Sequence, residues 1–217
     1  MVVRKWPRRK TVVPGQIRRE ILPSVLSVTT FMLPIALVAI AARTGGTRIY
    51  HQIADLGWAW YFFSFVLRFA WQETYFYWSH RVMHWPPIYR RVHAWHHLSR
   101  HPTPFTAFAF HPFEALIEGM TFVILAFLVP LHVTAIAIFA PHSSRIGQWI
   151  NSPRSHGLHH EKFRGNYSFY TNFWDRVMGT RIFEAGEERP AIERSKRASS
   201  PEPYDRQSIR FARITLR

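Results

Sequence analysis

The stretch HRVMHWPPIYRRVHAWHH, residues 80 to 97, holds five histidines in eighteen positions, although the 217-residue chain has thirteen in all. HAWHH at 93–97 and HGLHH at 156–160 repeat one spacing, histidine at i, i+3 and i+4, and His80 and His84 stand four apart. On a helix such spacings bring side chains onto a common face, where neutral imidazoles can share a metal ion. Pro86 and Pro87 must end the helix that carries His80 and His84, because proline lacks the backbone donor and restricts the residue before it. The chain therefore turns before His93, His96 and His97, and a third set, His156, His159 and His160, follows. His142, in FAPHSSR, is a ninth candidate. Imidazoles buried together without a metal repel as cations or leave polar atoms unpaired, each costing about 1–3 kcal/mol.

Nine candidate ligands are too many for a closed structural zinc site, which uses four, so more than one ion is expected. Imidazole alone admits iron, zinc or copper, and catalysis would need a coordination position left open. The absence of cysteine excludes thiolate metal sites, iron–sulfur clusters and disulfides. His51, His101 and His132 stand singly and read as packing or surface residues. His111, in HPFE, stays open between ligand, outer-shell donor and helix-start residue.

The elements that must position these side chains are apolar. Mean hydropathy is only −0.12, but the polar residues are gathered in two tails and around the histidines. Residues 21–42 carry no charge over 22 positions, and a helix of about 20 residues spans a bilayer core of roughly 30 Å. The run is too long for the apolar part of a signal peptide. A second, aromatic-rich segment covers about 56–78 and holds Arg68; a third apolar region, about 113–140, is broken by Pro130 and reads best as a helical hairpin, with one tilted, kinked span as the alternative. The expected fold is all-α: an integral membrane helical bundle of about four membrane segments, with a cytoplasmic histidine-rich helical cap holding a dimetal site.

Seven basic residues, Arg4, Lys5, Arg8, Arg9, Lys10, Arg18 and Arg19, precede the first segment against Glu20 alone, which puts a basic segment 1–20 in the cytoplasm. Two crossings and a returning hairpin then bring every histidine set, and the C-terminus, to that same side. The net charge of +15 fits anionic headgroups rather than nucleic acid, for which no motif is present. The division expected is 1–20, a catalytic domain 21–183, and a polar tail 184–217, disordered or lying on the membrane.

Four motifs, ETYFYWSHRVMH, HAWHHLS, HPFE and HGLHHEKFRGNYSFYTNFWDRVMGT, resemble the successive motifs of the fatty acid hydroxylase and sterol desaturase superfamily of membrane enzymes. The resemblance covers about residues 70–183 and includes Asn166, Tyr167, Trp174, Asp175, Gly179 and Thr180. It implies a non-haem centre of two iron ions that uses O2 and two electrons to hydroxylate or desaturate a lipid. The metal-binding and catalytic residues it implies are His80, His84, His93, His96, His97, His156, His159 and His160, with His142 where the family has a further histidine. Glu73 stands where an aspartate is common, and Ile138 where some members carry another histidine. No dinucleotide fingerprint, flavin motif or haem domain is visible, so electrons would come from an external donor, a cytochrome or ferredoxin with its reductase. The alternative of another class is a membrane zinc- or copper-binding or transport protein without redox turnover. It would be expected to place ionisable ligands inside its spans, whereas here they cluster outside the apolar runs.

Overall fold

The computed structural model describes residues 14–99, 103, 105–137 and 153–183. Helix α1, Gln16–Arg43, opens after Gly15, and at 1.5 Å per residue it is about 42 Å long. It starts earlier than the uncharged run, so Arg18, Arg19 and Glu20 belong to its first turns. Its C-terminus is closed by Gly45 at φ +71°, with Gly46 N–H donating to Ala41 O at 2.8 Å and Gly45 N–H to Ala42 O at 3.2 Å. That pair of bonds satisfies carbonyls the helix would otherwise leave open.

Strand β1, Ile49–Tyr50, leads to helix α2, Gly57–Met83, which runs unbroken from the aromatic segment through His80. Both long helices are inside-out relative to a water-soluble fold. Helix α1 buries Gln16, Glu20, Ser24 and Ser27 while exposing Leu22, Val25, Leu33 and Ile40; α2 buries Ser64, Arg68, Gln72 and Glu73 while exposing Trp58, Phe62, Phe63 and Val66. An apolar surface of that extent suits lipid rather than water. Among the described residues α1 is the one helix long and apolar enough to cross a membrane.

After His84 the chain passes Trp85 and enters α3, Pro86–Arg91, with proline at its first positions, where the missing N–H costs nothing. His93–Leu98 is then a 3-10 turn, not an α-helix. Helix α4, Pro112–Leu128, packs along α1. Gly119 permits the approach, since a Cβ there would lie 2.7 Å from Pro34 Cγ, and Phe31 meets Phe122 edge to face at 5.8 Å. Helix α2 is strapped to α4 by Tyr75 Oη donating to Ile117 O at 2.6 Å and Trp71 Nε1 to Thr121 Oγ1 at 3.0 Å.

Helix α4 stops before Pro130, and strand β2, Leu131–His132, pairs in parallel with β1. The all-α expectation is corrected to this extent: two residues on each side tie the α1–α2 connection to the end of α4. Helix α5, Val133–Ala137, follows. The rest of the returning hairpin limb, His142 and the tail 184–217 lie outside the described residues. Helices α6, Pro153–Lys162, and α7, Phe173–Val177, come last among the described residues.

Candidate metal centre

Eight of the nine candidate histidines fall within the described residues, and they converge as two adjoining clusters. His80 and His84 from the end of α2, His93 and His97 from the 3-10 turn, and His159 from α6 form a set of five; His96, His156 and His160 form a set of three. Within each set one ring nitrogen per residue lies within 4.8 Å of all the others. The sets abut, with the His97 and His160 rings 4.6 Å apart.

The sequence spacing misled on one point. The triplets do not each present a single common face; each is divided between clusters. In α6, successive side chains diverge by about 100°, so His159 and His160, their rings inclined at 88°, feed different sets while His156 and His160 share one. In the 3-10 turn His93 and His97 converge, their Nε2 atoms 3.1 Å apart, and His96 turns away toward His160.

The orientation of the rings is fixed from behind. His80 Nδ1–H donates to Tyr167 O at 2.9 Å, His159 Nδ1–H to Gly165 O at 2.7 Å, and His93 Nδ1–H to Glu114 Oε1 at 2.8 Å. A proton on Nδ1 leaves a lone pair on Nε2, and in all three residues Nε2 faces inward. His97 Nε2 lies 3.1 Å from His93 Nε2 and 3.2 Å from His159 Nε2, yet it has one proton at most. At least one of those contacts therefore sets lone pair against lone pair, which a cation between them relieves. The remaining Nε2 separations agree: 3.1 Å for His84 and His159, 3.3 Å for His84 and His97, and 2.9, 3.0 and 3.4 Å among His156, His160 and His96. Nitrogens held about 2.1 Å from one ion stand roughly 3.0–3.4 Å apart. His80 Nε2, buried among them, has no hydrogen-bond partner in the described residues. The residues present fit a pair of imidazole-bound ions.

Burial, reinforced by neighbouring imidazoles, holds His84, His93, His96, His97 and His159 well below the usual histidine range, and burial takes His160 down to about 3. The rings are neutral at pH 7, the form that binds metal.

Carboxylates that sequence reasoning did not assign to the site surround it. Glu114, buried at the start of α4, holds His93; the signal available was an acid inside an apolar helix. Glu73 accepts the N–H groups of Tyr170 and Thr171 at 2.7 and 2.8 Å, and Asp175 those of Tyr167 and Ser168, both at 2.9 Å. Glu20 accepts from Gln16, Ser99, Thr103 and Thr106, tying α1 to the segment after His97. His111 lies apart from both clusters: its Nδ1 accepts from Phe113 N at 3.2 Å and caps α4. His132 donates from Nε2 to His51 O at 3.0 Å beside the strand pair, also outside the clusters, and His101 lies outside the described residues.

Comparison with known proteins places the chain in a class. The fatty acid hydroxylase family model matches residues 65–180, more than half of the chain, and the protein belongs to that family. It is 28% identical over 203 residues to the Delta(7)-sterol 5(6)-desaturase erg3C of Aspergillus fumigatus, covering 77% of this chain and 63% of that one. It is 30% identical over 183 residues to the lathosterol oxidase of Mus musculus, covering 76% of this chain and 61% of the relative. The chain thus spans little more than three fifths of the length of these relatives. No solved structure matches it.

Proposed function

We propose that the protein is a membrane-bound non-haem diiron oxygenase that uses O2 and two electrons to desaturate or hydroxylate a lipid, with a sterol or similarly shaped polycyclic lipid as the favoured substrate class. The observation that carries this reading is the convergence of eight inward-facing imidazoles into two adjoining sets at chelation distances. The substrate class is taken from what the relatives' names state, desaturation of a Delta(7)-sterol and oxidation of lathosterol.

In this reading His80, His84, His93, His97 and His159 hold one ion and His96, His156 and His160 the other, with His142 available to the second. Two bound iron ions would supply the reduction of dioxygen that makes an unactivated C–H bond reactive. The chain's own contribution is positional. Tyr167 O, Gly165 O and Glu114 fix three ligands in the Nδ1–H tautomer, and burial keeps water out and the rings neutral. The set of three leaves more room for a co-substrate than the set of five. For desaturation the balance is two hydrogens from adjacent carbons, O2, two electrons and two protons in, a double bond and two waters out. The electrons come from a separate cytochrome or ferredoxin with its reductase. The lipid enters laterally from the bilayer, and the site and both termini face the cytoplasm with the chain crossing several times.

Lipid mass spectrometry of a sterol-supplemented host with and without the full chain, and with His96→Ala, tests the reading. A lipid two mass units lighter or one oxygen heavier, formed only with intact histidines, is expected. Unchanged lipids with zinc or copper bound in the purified protein would favour the metal-binding alternative.

A further inference from the structure

We propose that Asp175 is a positioning residue for His80, acting through the peptide that joins Tyr167 to Ser168; the inference rests on the five-histidine set holding a metal. Asp175 is fully buried on α7. Its Oδ2 accepts Ser168 N–H at 2.9 Å, and its Oδ1 accepts Tyr167 N–H at 2.9 Å and Thr180 Oγ1 at 2.7 Å. The carbonyl of that same Tyr167–Ser168 peptide receives His80 Nδ1–H at 2.9 Å.

A peptide unit is conjugated from nitrogen to oxygen. A carboxylate that takes its N–H draws electron density toward the carbonyl oxygen, and hydrogen bonds in such a chain strengthen one another. Asp175 therefore acts on His80 across one amide as Glu114 acts directly on His93. Both hold a proton on Nδ1 and aim the Nε2 lone pair into the cluster. Outer-shell partners of this kind commonly set ligand orientation and basicity.

The surrounding backbone keeps that peptide in register. Gly165 sits at φ +63°, and a Cβ on it would lie 2.2 Å from Thr180 O. Asn166 N–H donates to Thr180 O at 3.0 Å, and Ile182 N–H to Asn166 Oδ1 at 2.8 Å. Gly165 and Asn166, the latter at φ 52°, are both left-handed and thus fix the approach to Tyr167. Thr180 in turn bonds Asp175 through its hydroxyl, and its N–H donates to Asp175 O at 2.8 Å. The function of this knot is to present one carbonyl to α2.

The test titrates the purified full chain with Co2+ against a competing chelator, following absorption and bound metal. The wild type is expected to fill two resolved steps, and His80→Ala identifies the one that belongs to the five-histidine set. Asp175→Asn keeps the shape but offers one acceptor to two N–H groups. It should weaken that step by about 10–100-fold, leave the other step unchanged, and add nothing in the His80→Ala background. Thr180→Val removes one hydrogen bond that orients the carboxylate and keeps its two backbone donors; it should weaken the five-histidine step by about 2–10-fold, leave the other step unchanged and add nothing in the His80→Ala background, and this decides the matter if Asp175→Asn does not fold. Equal loss at both steps, no loss at either, or a loss that persists without His80, in whichever variant folds, would overturn the inference. A wild-type chain that binds fewer than two ions overturns the metal reading itself, whatever the variants do.

Discussion

Replacing Glu114 with Gln preserves the side chain's shape against the five-histidine cluster and deletes its charge. Its Oε1 takes His93 Nδ1–H at 2.8 Å, and its Oε2 is buried with no hydrogen-bond partner among the described residues. A hydrogen bond to a charged group contributes about 1.5–3 kcal/mol and a neutral one about 0.5–1.5 kcal/mol. Their difference, about 1–2 kcal/mol, corresponds to metal binding roughly 5–30-fold weaker at the five-histidine set. Glu114→Leu also strands the His93 donor in the interior, a further cost of about 1–3 kcal/mol. In the metal-free protein Glu114→Gln should change stability little, because the amide oxygen can still accept His93 Nδ1–H and no ion calls for a charged partner. Competitive Co2+ titration reads the first effect, and thermal unfolding of the metal-free protein in detergent reads the second. Unchanged affinity, or affinity and metal-free stability falling together in Glu114→Gln, would refute the assignment of Glu114 as the partner of a ligand.

Gly165→Ala should lower metal content at the five-histidine set and reduce stability by at least about 1–2 kcal/mol, since its Cβ would meet Thr180 O at 2.2 Å and displace the carbonyl that holds His159; a loaded variant with an unchanged melting temperature would contradict this. His111→Ala should retain both ions and lose only a helix cap, about 1 kcal/mol, so loss of an ion would restore His111 as a ligand. Stability of the metal-free protein should fall with acid. The buried imidazoles titrate below their unfolded value of about 6.5, so their contribution is complete above that pH and is lost as pH drops toward the value near 3 held by His160. A denaturant midpoint that stays flat between pH 8 and 4 would contradict the burial of neutral rings.

Much of this arrangement was legible in residue spacing, and the part that was not has physical causes. The uncharged run at 21–42 forecast α1, and Pro86 and Pro87 marked the turn after His84, because both signals are local. The histidine spacing located the site but not its partition: which of His96 and His97 serves which cluster is set by the rings that meet them from α2 and α6, long-range contacts that an i, i+3, i+4 pattern does not encode. Glu20 read as a stray acid in a basic flank because its partners, Ser99, Thr103 and Thr106, are about eighty residues away. The roles of Gly165 and Tyr167 run through backbone carbonyls, which carry no side-chain signature at all. The β1–β2 pair is too short for alternation to announce it.

The central claim is that three separated pieces of chain build two distinct imidazole sites on one molecule. Iron content per chain, measured on full-length protein loaded anaerobically with Fe2+ and washed, tests it most directly. Two ions are expected in the wild type and about one in His160→Ala, with the five-histidine ion retained. A single ion in the wild type, or two in His160→Ala, would contradict it.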